Sequence, residues 1–346
     1  MSDTAPESIC LLRLSALGDV CNMVPAVRAI QQTWPTTSLT WVIGRMEHRL
    51  LSALPGVEFI VFDKKAGLRG FVDFRKKVAK RHWDILLHAQ VSARANLVAL
   101  CIPAQRRLGF DAPRAREGHG WVVNERIPAS PGQHQALALQ SFADHIGAPT
   151  RGMDRSLPVS EDARRFAEAH QPKSGHSVLI SPASSHAGRN WTIEGYAHVA
   201  DWIIEHAGRP VILMGGPSAI EKTLGDEICR SMKHAAVNLI GQDTLDQALA
   251  MLERAACLIT PDAGPAHFAA AMGTPVVGLY AATWSRRSGP LGSLEHCVDK
   301  YADAAQRYTG KPPEALRWGR RLEFPRVMDL IRPHEVIEKL RAIIGP

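Results

Sequence analysis

No run of apolar residues in this 346-residue chain approaches the ~20 that a membrane-crossing helix needs. The six cysteines, at 10, 21, 101, 229, 257 and 297, include no CxxC pair. Cys10, Cys101 and Cys257 sit in apolar runs, so the set reads as small buried hydrophobes in a reducing compartment rather than as disulfides or zinc ligands. The first eight residues, Met1 to Ser8, are polar and acidic, and no signal peptide is expected. There is no fixed-period repeat and no low-complexity tract. The first strand–helix turn holds one glycine, Gly18, and lacks GxGxxG, which argues against a nicotinamide-dependent oxidoreductase. Zinc-finger, RRM and basic-zipper patterns are missing too, so only charge speaks for nucleic acid, and none is expected as a partner. No DxD pair stands near the glycine-rich turns, Asp299 and Asp303 being spaced differently; no metal and no cofactor are expected.

What is present is ordinary for a folded, water-exposed chain: 45% hydrophobic and 22% charged residues. The length implies two domains, since one core seldom serves more than ~200 residues. The formal charge is +7. Either this is solubility charge or it meets an acidic partner. Its distribution is uneven. Lys64, Lys65, Arg69, Arg75, Lys76, Lys77, Lys80 and Arg81 crowd one segment, and Arg106, Arg107, Arg114 and Arg116 another.

Apolar runs alternate with helical periodicity throughout. Ile9 to Leu14, Leu39 to Ile43, Phe59 to Phe62 and Ile85 to His88 read as strands. Val24, Val27 and Ile30 mark a helix that stops at Trp34-Pro35. The succession restarts at Ser177 to Ile180, then Pro210 to Met214, Asn238 to Gly241, Cys257 to Thr260 and Pro275 to Tyr280. Alternating β and α elements predict parallel sheets, hence an α/β fold of two Rossmann-like domains with a ligand cleft facing the carboxyl ends of their strands. Linker-like composition near 157–176 places the boundary, giving an N-terminal domain 1–165 and a C-terminal domain 166–346. Pro333 to Ile344 reads as a closing helix, placed so that it could pack back toward the first domain.

Pro261-Asp262-Ala263-Gly264-Pro265-Ala266-His267 lies between a strand and a helix start. Unsatisfied N–H groups and the helix dipole make such a point an anion site. Asp262 suits hydroxyls and His267 suits a phosphate, a pairing fit for a sugar nucleotide; the plain alternative is a turn residue and a core histidine. Ser184, Ser185 and Arg189 follow another strand, where hydroxyls and a cation suit a diphosphate. Gly215-Gly216-Pro217 ends a third strand, and Glu221 is its nearest acid. Asp19 reads either as a helix N-cap or as a general base.

Three of these places, Leu14 to Val20, Ser181 to Trp191 and the Asp262–His267 turn, occur in an order that resembles the ADP-heptose:lipopolysaccharide heptosyltransferases, glycosyltransferase family 9. The resemblance implies the GT-B fold. It also implies an inverting, metal-independent transfer of heptose from ADP-heptose to the phosphorylated inner core of lipopolysaccharide, built on lipid A and Kdo. Asp19 would then be the base, with Gly18 allowing close approach of the acceptor. Ser184, Ser185, Arg189, Asp262, Ala263, Gly264, His267 and Gly216 would hold the donor, Gly264 and Ala266 through backbone N–H groups. Arg189 stands where family members often have lysine. Arg116 falls where the family has an acceptor-contacting arginine, and Lys64 and Lys65 fit the acidic core. A peripheral protein at the cytoplasmic face of the inner membrane follows. A sugar-nucleotide epimerase of the same architecture, or a transferase using another nucleotide sugar, remains open. The resemblance assigns no role to 299–321.

Overall fold

The structure is a computed structural model that describes residues 5–345. The chain divides into two compact units, Met1–Pro158 and Val159–Pro346. The first contains β1 (Ser8–Leu12), α1 (Leu17–Thr33), β2 (Ser38–Gly44), α2 (Arg45–Leu51), β3 (Glu58–Phe62), α3 (Gly67–Val78), β4 (Trp83–His88), α4 (Ala93–Leu100), β5 (Ala104–Gly109), β6 (Glu125–Arg126) and α5 (Gln135–Ile146). Its six strands lie in the order β3-β2-β1-β4-β5-β6, every pair parallel. Ile9 to Leu12 of the central strand are buried on both faces, as a parallel sheet covered on two sides requires.

The second unit begins with α6 (Glu161–His170). It continues through β7 (Val178–Ile180), α7 (Ile193–Ala207), β8 (Val211–Leu213), α8 (Ala219–Ser231), β9 (Val237–Asn238) and α9 (Leu245–Arg254). Next come β10 (Cys257–Pro261), α10 (Gly264–Ala271), β11 (Val276–Tyr280), α11 (Ser285–Ser288), β12 (Val298–Asp299), α12 (Tyr301–Thr309) and α13 (Pro333–Ile344). Its strand order, β12-β11-β10-β7-β8-β9, is the first unit's order over again. Each sheet therefore reverses direction at one place, between β1 and β4 in the first and between β7 and β10 in the second. Doubly wound sheets bind ligands at that reversal, beyond the carboxyl ends of the strands.

Helix starts fall into two kinds. Ser160, Thr192, Ser218 and Thr244 accept backbone N–H groups at the heads of α6, α7, α8 and α9. In contrast, α1 and α10, which start beside the two reversals, begin on Ala16 and Ala263, whose methyl groups cannot cap. The sequence boundary at 165/166 falls inside α6, which the structure keeps whole in the second unit. Val336, Ile337 and Leu340 of α13 join the core of the second unit.

A fully buried polar group lies under the first sheet. His88 Nε2 is 2.9 Å from Asn96 Oδ1, His119 Nε2 accepts the Phe110 N–H at 3.0 Å, and Asn96 Nδ2 donates to the Glu117 carbonyl at 2.6 Å. Burial lowers both histidines, His88 to about 3 and His119 to about 4. Both stay neutral in the folded chain while the unfolded chain takes up protons below ~6.5. The unfolded state thus binds more protons as pH falls from 6.5 toward 4, and stability is lost over that window. The expected loss from this source by pH 5 is about 2 kcal/mol per histidine. His88→Gln, which keeps an amide donor for Asn96, should remove about half of it. Urea unfolding at pH 7, 6 and 5 measures this; an equal slope in the variant would exclude the pair as its origin.

Candidate functional site

At the reversal of the first sheet, β1 runs into Arg13, Leu14 and Ser15. The Leu14 N–H donates to Gln90 Oε1 at 2.7 Å, and Gln90 Nε2 reaches Ser15 Oγ at 3.3 Å, which ties the end of β1 to the end of β4. Arg13 is buried and donates to the Ala89 carbonyl and to the Asp19 carboxylate. Asp19 is one-quarter exposed. It is not the cap of α1, as one reading of the sequence had it: the helix starts at Leu17, its N-cap is Ala16, and Asp19 lies in the first turn. There the helix dipole favours its negative charge. Gly18 likewise sits inside that turn and not in the expected loop. The result is a carboxylate fixed by one cation, with an accessible edge and a free lone pair.

At the reversal of the second sheet, three segments meet. Ser184, in the loop after β7, donates its N–H to Asn190 Oδ1 at 2.7 Å and its hydroxyl to the Asp262 carbonyl at 3.2 Å. Arg189 is buried and bridges two carboxylates, donating to Asp262 Oδ2 at 3.2 Å and to Glu323 Oε1 at 2.9 Å. His186 lies 3.5 Å from the other Glu323 oxygen. Ser185 is exposed, and His267 is half-buried in the first turn of α10. Gly264 opens that helix, followed by Pro265, which has no N–H. Ala266 does not offer its N–H outward as expected, because it donates to the Ala263 carbonyl at 3.2 Å.

Glu221 gains a role that the sequence left open. Its carboxylate accepts the Gly216 N–H at 2.6 Å and bonds Ser218 Oγ at 3.0 Å. A side chain on Gly216 would meet Glu221 Oε1 at 2.8 Å, so the carboxylate would have to shift to make room for it. Asp243 stands in the same neighbourhood; burial raises its pKa to about 6, and the charge of Glu221 adds to the rise.

The 299–321 segment also acquires a purpose. Asp299 accepts the Ser285 N–H at 2.9 Å and the Tyr301 N–H at 2.8 Å, pinning the loop after β11 to the head of α12. Burial raises its pKa. Trp284 stacks on Tyr301 with centroids 5.4 Å apart, and the Tyr301 hydroxyl donates to the Arg320 carbonyl at 2.8 Å. Leu322 then donates to the Ala282 carbonyl at 2.7 Å, which delivers Glu323 to Arg189. Arg287, Arg320 and Arg321 line one pocket with Arg189 and Asp262. The sequence reading missed Glu323 and these three arginines; it left the 299–321 segment, which holds Arg320 and Arg321, without a role.

In the first unit the basic clusters separate by use. Arg106 makes a bidentate pair with Glu125, at 2.9 Å for each bond. Arg107 donates to the carbonyls of Ala99, Ile102 and Val122. Arg114 binds Asp111 and lies over the Phe110 ring. Those three hold the fold, and Arg116 of that cluster is exposed. Arg81 is paired with Glu58, whereas Lys64 and Lys65 stand exposed in the turn after β3.

The family model of glycosyltransferase family 9 (heptosyltransferase) matches residues 71–314 of this chain. The chain is 37% identical to the lipopolysaccharide core heptosyltransferase OpsX of Haemophilus influenzae, over 98% of its own length and 97% of that protein's. Among solved structures it resembles a family 9 glycosyltransferase from Veillonella parvula, with TM-score 0.78, 20% identity and coverage of 98% and 97% of the two chains. It also resembles the ADP-heptose lipopolysaccharide heptosyltransferase II of E. coli, with TM-score 0.70, 21% identity and coverage of 97% and 98%. These two likenesses establish the GT-B fold.

Arg189 links loops far apart in sequence, and its side chain is 11% exposed. Arg189→Met would leave Asp262 and Glu323 facing each other without a cation, at an expected cost of about 3 kcal/mol. Arg189→Lys keeps the charge but has no planar fork to span both acids, and should cost about 1 kcal/mol. Urea unfolding ranks the two; equal stability in all three proteins would mean the bridge contributes nothing to the fold.

Proposed function

Because this chain belongs to glycosyltransferase family 9, the heptosyltransferase family, we propose that it transfers heptose from ADP-heptose to the phosphorylated inner core of lipopolysaccharide, with inversion at the anomeric carbon. The observation that carries the reading is the Ser184–Arg189–Asp262 constellation at the β7–β10 reversal, where hydroxyl, guanidinium and carboxylate stand together at the head of an uncapped helix.

The chemistry follows from these groups. The acceptor hydroxyl attacks the anomeric carbon while the bond from that carbon to the diphosphate oxygen breaks. The bonding pair leaves with ADP, and the hydroxyl proton passes to Asp19. Arg13 holds the Asp19 carboxylate in place. On the donor side, Ser184, Ser185, the Gly264 N–H and His267 receive the diphosphate, and Arg189 offsets the charge that grows on departing ADP. Asp262 and Ala263 border the sugar, with Asp262 accepting from its hydroxyls. Gly216, held by Glu221, borders the nucleoside. Lys64, Lys65 and Arg116 are exposed cations for the acidic acceptor, alongside Gly18 near the base.

No helix among the described residues is long and apolar enough to cross a membrane. Since the acceptor is a lipid-linked sugar, the proposed setting is peripheral, at the cytoplasmic face of the inner membrane. The decisive assay is release of ADP from ADP-heptose with and without truncated core lipopolysaccharide. Release that depends on the acceptor, with the product heavier by one heptose, fits transfer; conversion of the donor without an acceptor would indicate an epimerase.

Asp19→Asn keeps the shape and the Arg13 contact but removes the basic oxygen pair. Turnover should fall by ~10²–10⁴-fold while ADP binding, read by calorimetry, stays within twofold. A variant with most of its turnover would exclude Asp19 as the base.

Among the described residues there is no group of three or more His, Cys, Asp or Glu side chains able to hold a metal. With Arg189 and the head of α10 carrying the phosphate charge, transfer is expected to persist at full rate in EDTA. Loss in EDTA with specific recovery by Mg²⁺ or Mn²⁺ would show that a metal shares that task.

A further inference from the structure

One face of the first unit leaves apolar side chains bare. Ten large hydrophobic side chains are exposed among the described residues, and four of them stand on two helices of this face. Leu68 and Val72 of α3 are 85% and 53% exposed, and Leu97 and Leu100 of α4 are 53% and 61% exposed. The two helices cover the same side of the sheet. Phe74 and Val78 of α3 and Ala95, Val98 and Ala99 of α4 enter one core layer with Cys10 and Leu12 of β1. A groove of about 500 Å³ runs between them, lined by Arg75, Ala79, Leu100, Cys101 and Pro103. Leu68, Val72, Arg75 and Ala79 follow helical spacing, so they form one stripe along α3 that borders this groove. Leu97, one turn before Leu100, extends the apolar surface on the α4 side.

Cations surround these side chains. Residues 67–80 hold five cations and one acid, a formal +4. Arg69 lies 3.8 Å from that acid, Asp73. Arg75, Lys76, Lys77 and Lys80 are exposed, and none has an acid within ion-pair distance among the described residues. Cations in the last turn of α3 suit the helix dipole, but the dipole does not account for bare leucine and valine beside them.

The combination selects the partner. A nucleic-acid face uses cations and gains little from exposed aliphatic side chains. A second copy of this chain, paired by a two-fold axis, would set the same cations against one another. An anionic bilayer accepts both parts, its phosphates meeting Arg and Lys while the upper acyl region takes the apolar side chains.

We propose that α3 and the end of α4 dock the chain on an anionic phospholipid surface. Leu68, Val72, Leu97 and Leu100 enter the boundary of headgroups and acyl chains, and Arg75, Lys76, Lys77 and Lys80 lie against lipid phosphates. The proposal rests on the transfer reading only in that a lipid-linked acceptor draws the chain to a membrane; it adds the face that docks and the class of lipid. None of these eight side chains is among those proposed to hold the donor or the acceptor.

The test is co-sedimentation of the full chain with phospholipid vesicles, which needs no substrate and no turnover. Wild type should bind phosphatidylcholine vesicles containing about 30% phosphatidylglycerol at least ~10-fold more tightly than phosphatidylcholine alone, and less tightly as salt rises. Lys76→Gln with Lys77→Gln should weaken that binding about 30-fold at low salt. Leu68→Ser with Leu100→Ser should weaken it at least ~10-fold, at high salt as well as low. All four positions are exposed, so both variants should fold. Leu137→Ser, exposed on α5, which packs on α1, is the control and should bind as wild type does. Loss in both double variants but not in the control supports the docking face, whether or not transfer is observed. No binding by wild type, equal binding to the two kinds of vesicle, retained binding in either double variant, or a loss shared by the control would overturn it. So would a lipid-free dimer that the Leu68→Ser, Leu100→Ser variant turns into a monomer, since the face would then belong to a second copy. Acceptor-dependent transfer without vesicle binding would sink this face alone and leave the functional reading intact.

Discussion

The second unit's site depends on one guanidinium. Arg189 joins the loop after β7 to the turn after β10 through Asp262, and to the segment after α12 through Glu323. Each of these loops is short of regular structure, so each would otherwise be free to drift. A planar cation with donors on two edges is the side chain suited to hold two carboxylates at once. A lysine, with its single ammonium, could hold one of them firmly, whereas the Arg189 guanidinium reaches both Asp262 and Glu323.

The same topology serves both halves with different chemistry at the reversal. In the first sheet the adjoining helix begins on Ala16 and brings a carboxylate, Asp19, into its first turn. In the second the helix begins on Ala263 with Gly264 and Pro265, and no acid enters the turn. A negative side chain at a helix head fills the role an anionic ligand would take. The first unit is thereby suited to a proton acceptor and the second to a phosphate.

Much of this was legible in the residues. Buried strands announce themselves as apolar runs because a parallel sheet covered on both faces tolerates nothing else, and β1, β2, β4, β10 and β11 lie where the runs predict. Asp262 stood out because it follows β10 directly, and Asp19 and Arg189 because they lie in the stretches that lead from β1 and β7 into the next helix. Glu323 was not, because it stands 134 positions from the arginine it binds and no local pattern marks it. The uses of Arg106, Arg107 and Arg114 were equally hidden: a cation engaged by backbone carbonyls or a neighbouring acid looks, in sequence, like one awaiting a ligand. Ala266 was misread for a related reason, since a helix head offers only the N–H groups that its own first turn leaves unbonded.

The Arg189 bridge has one further consequence. A flexible cation recruited by an incoming phosphate must surrender its side-chain freedom at the moment of binding, and that loss subtracts from affinity. Here the freedom is surrendered during folding, because Asp262 and Glu323 hold the guanidinium before any ligand arrives. On the proposed reading, in which Arg189 meets the diphosphate, such a fixed cation leaves little rearrangement to oppose the reaction.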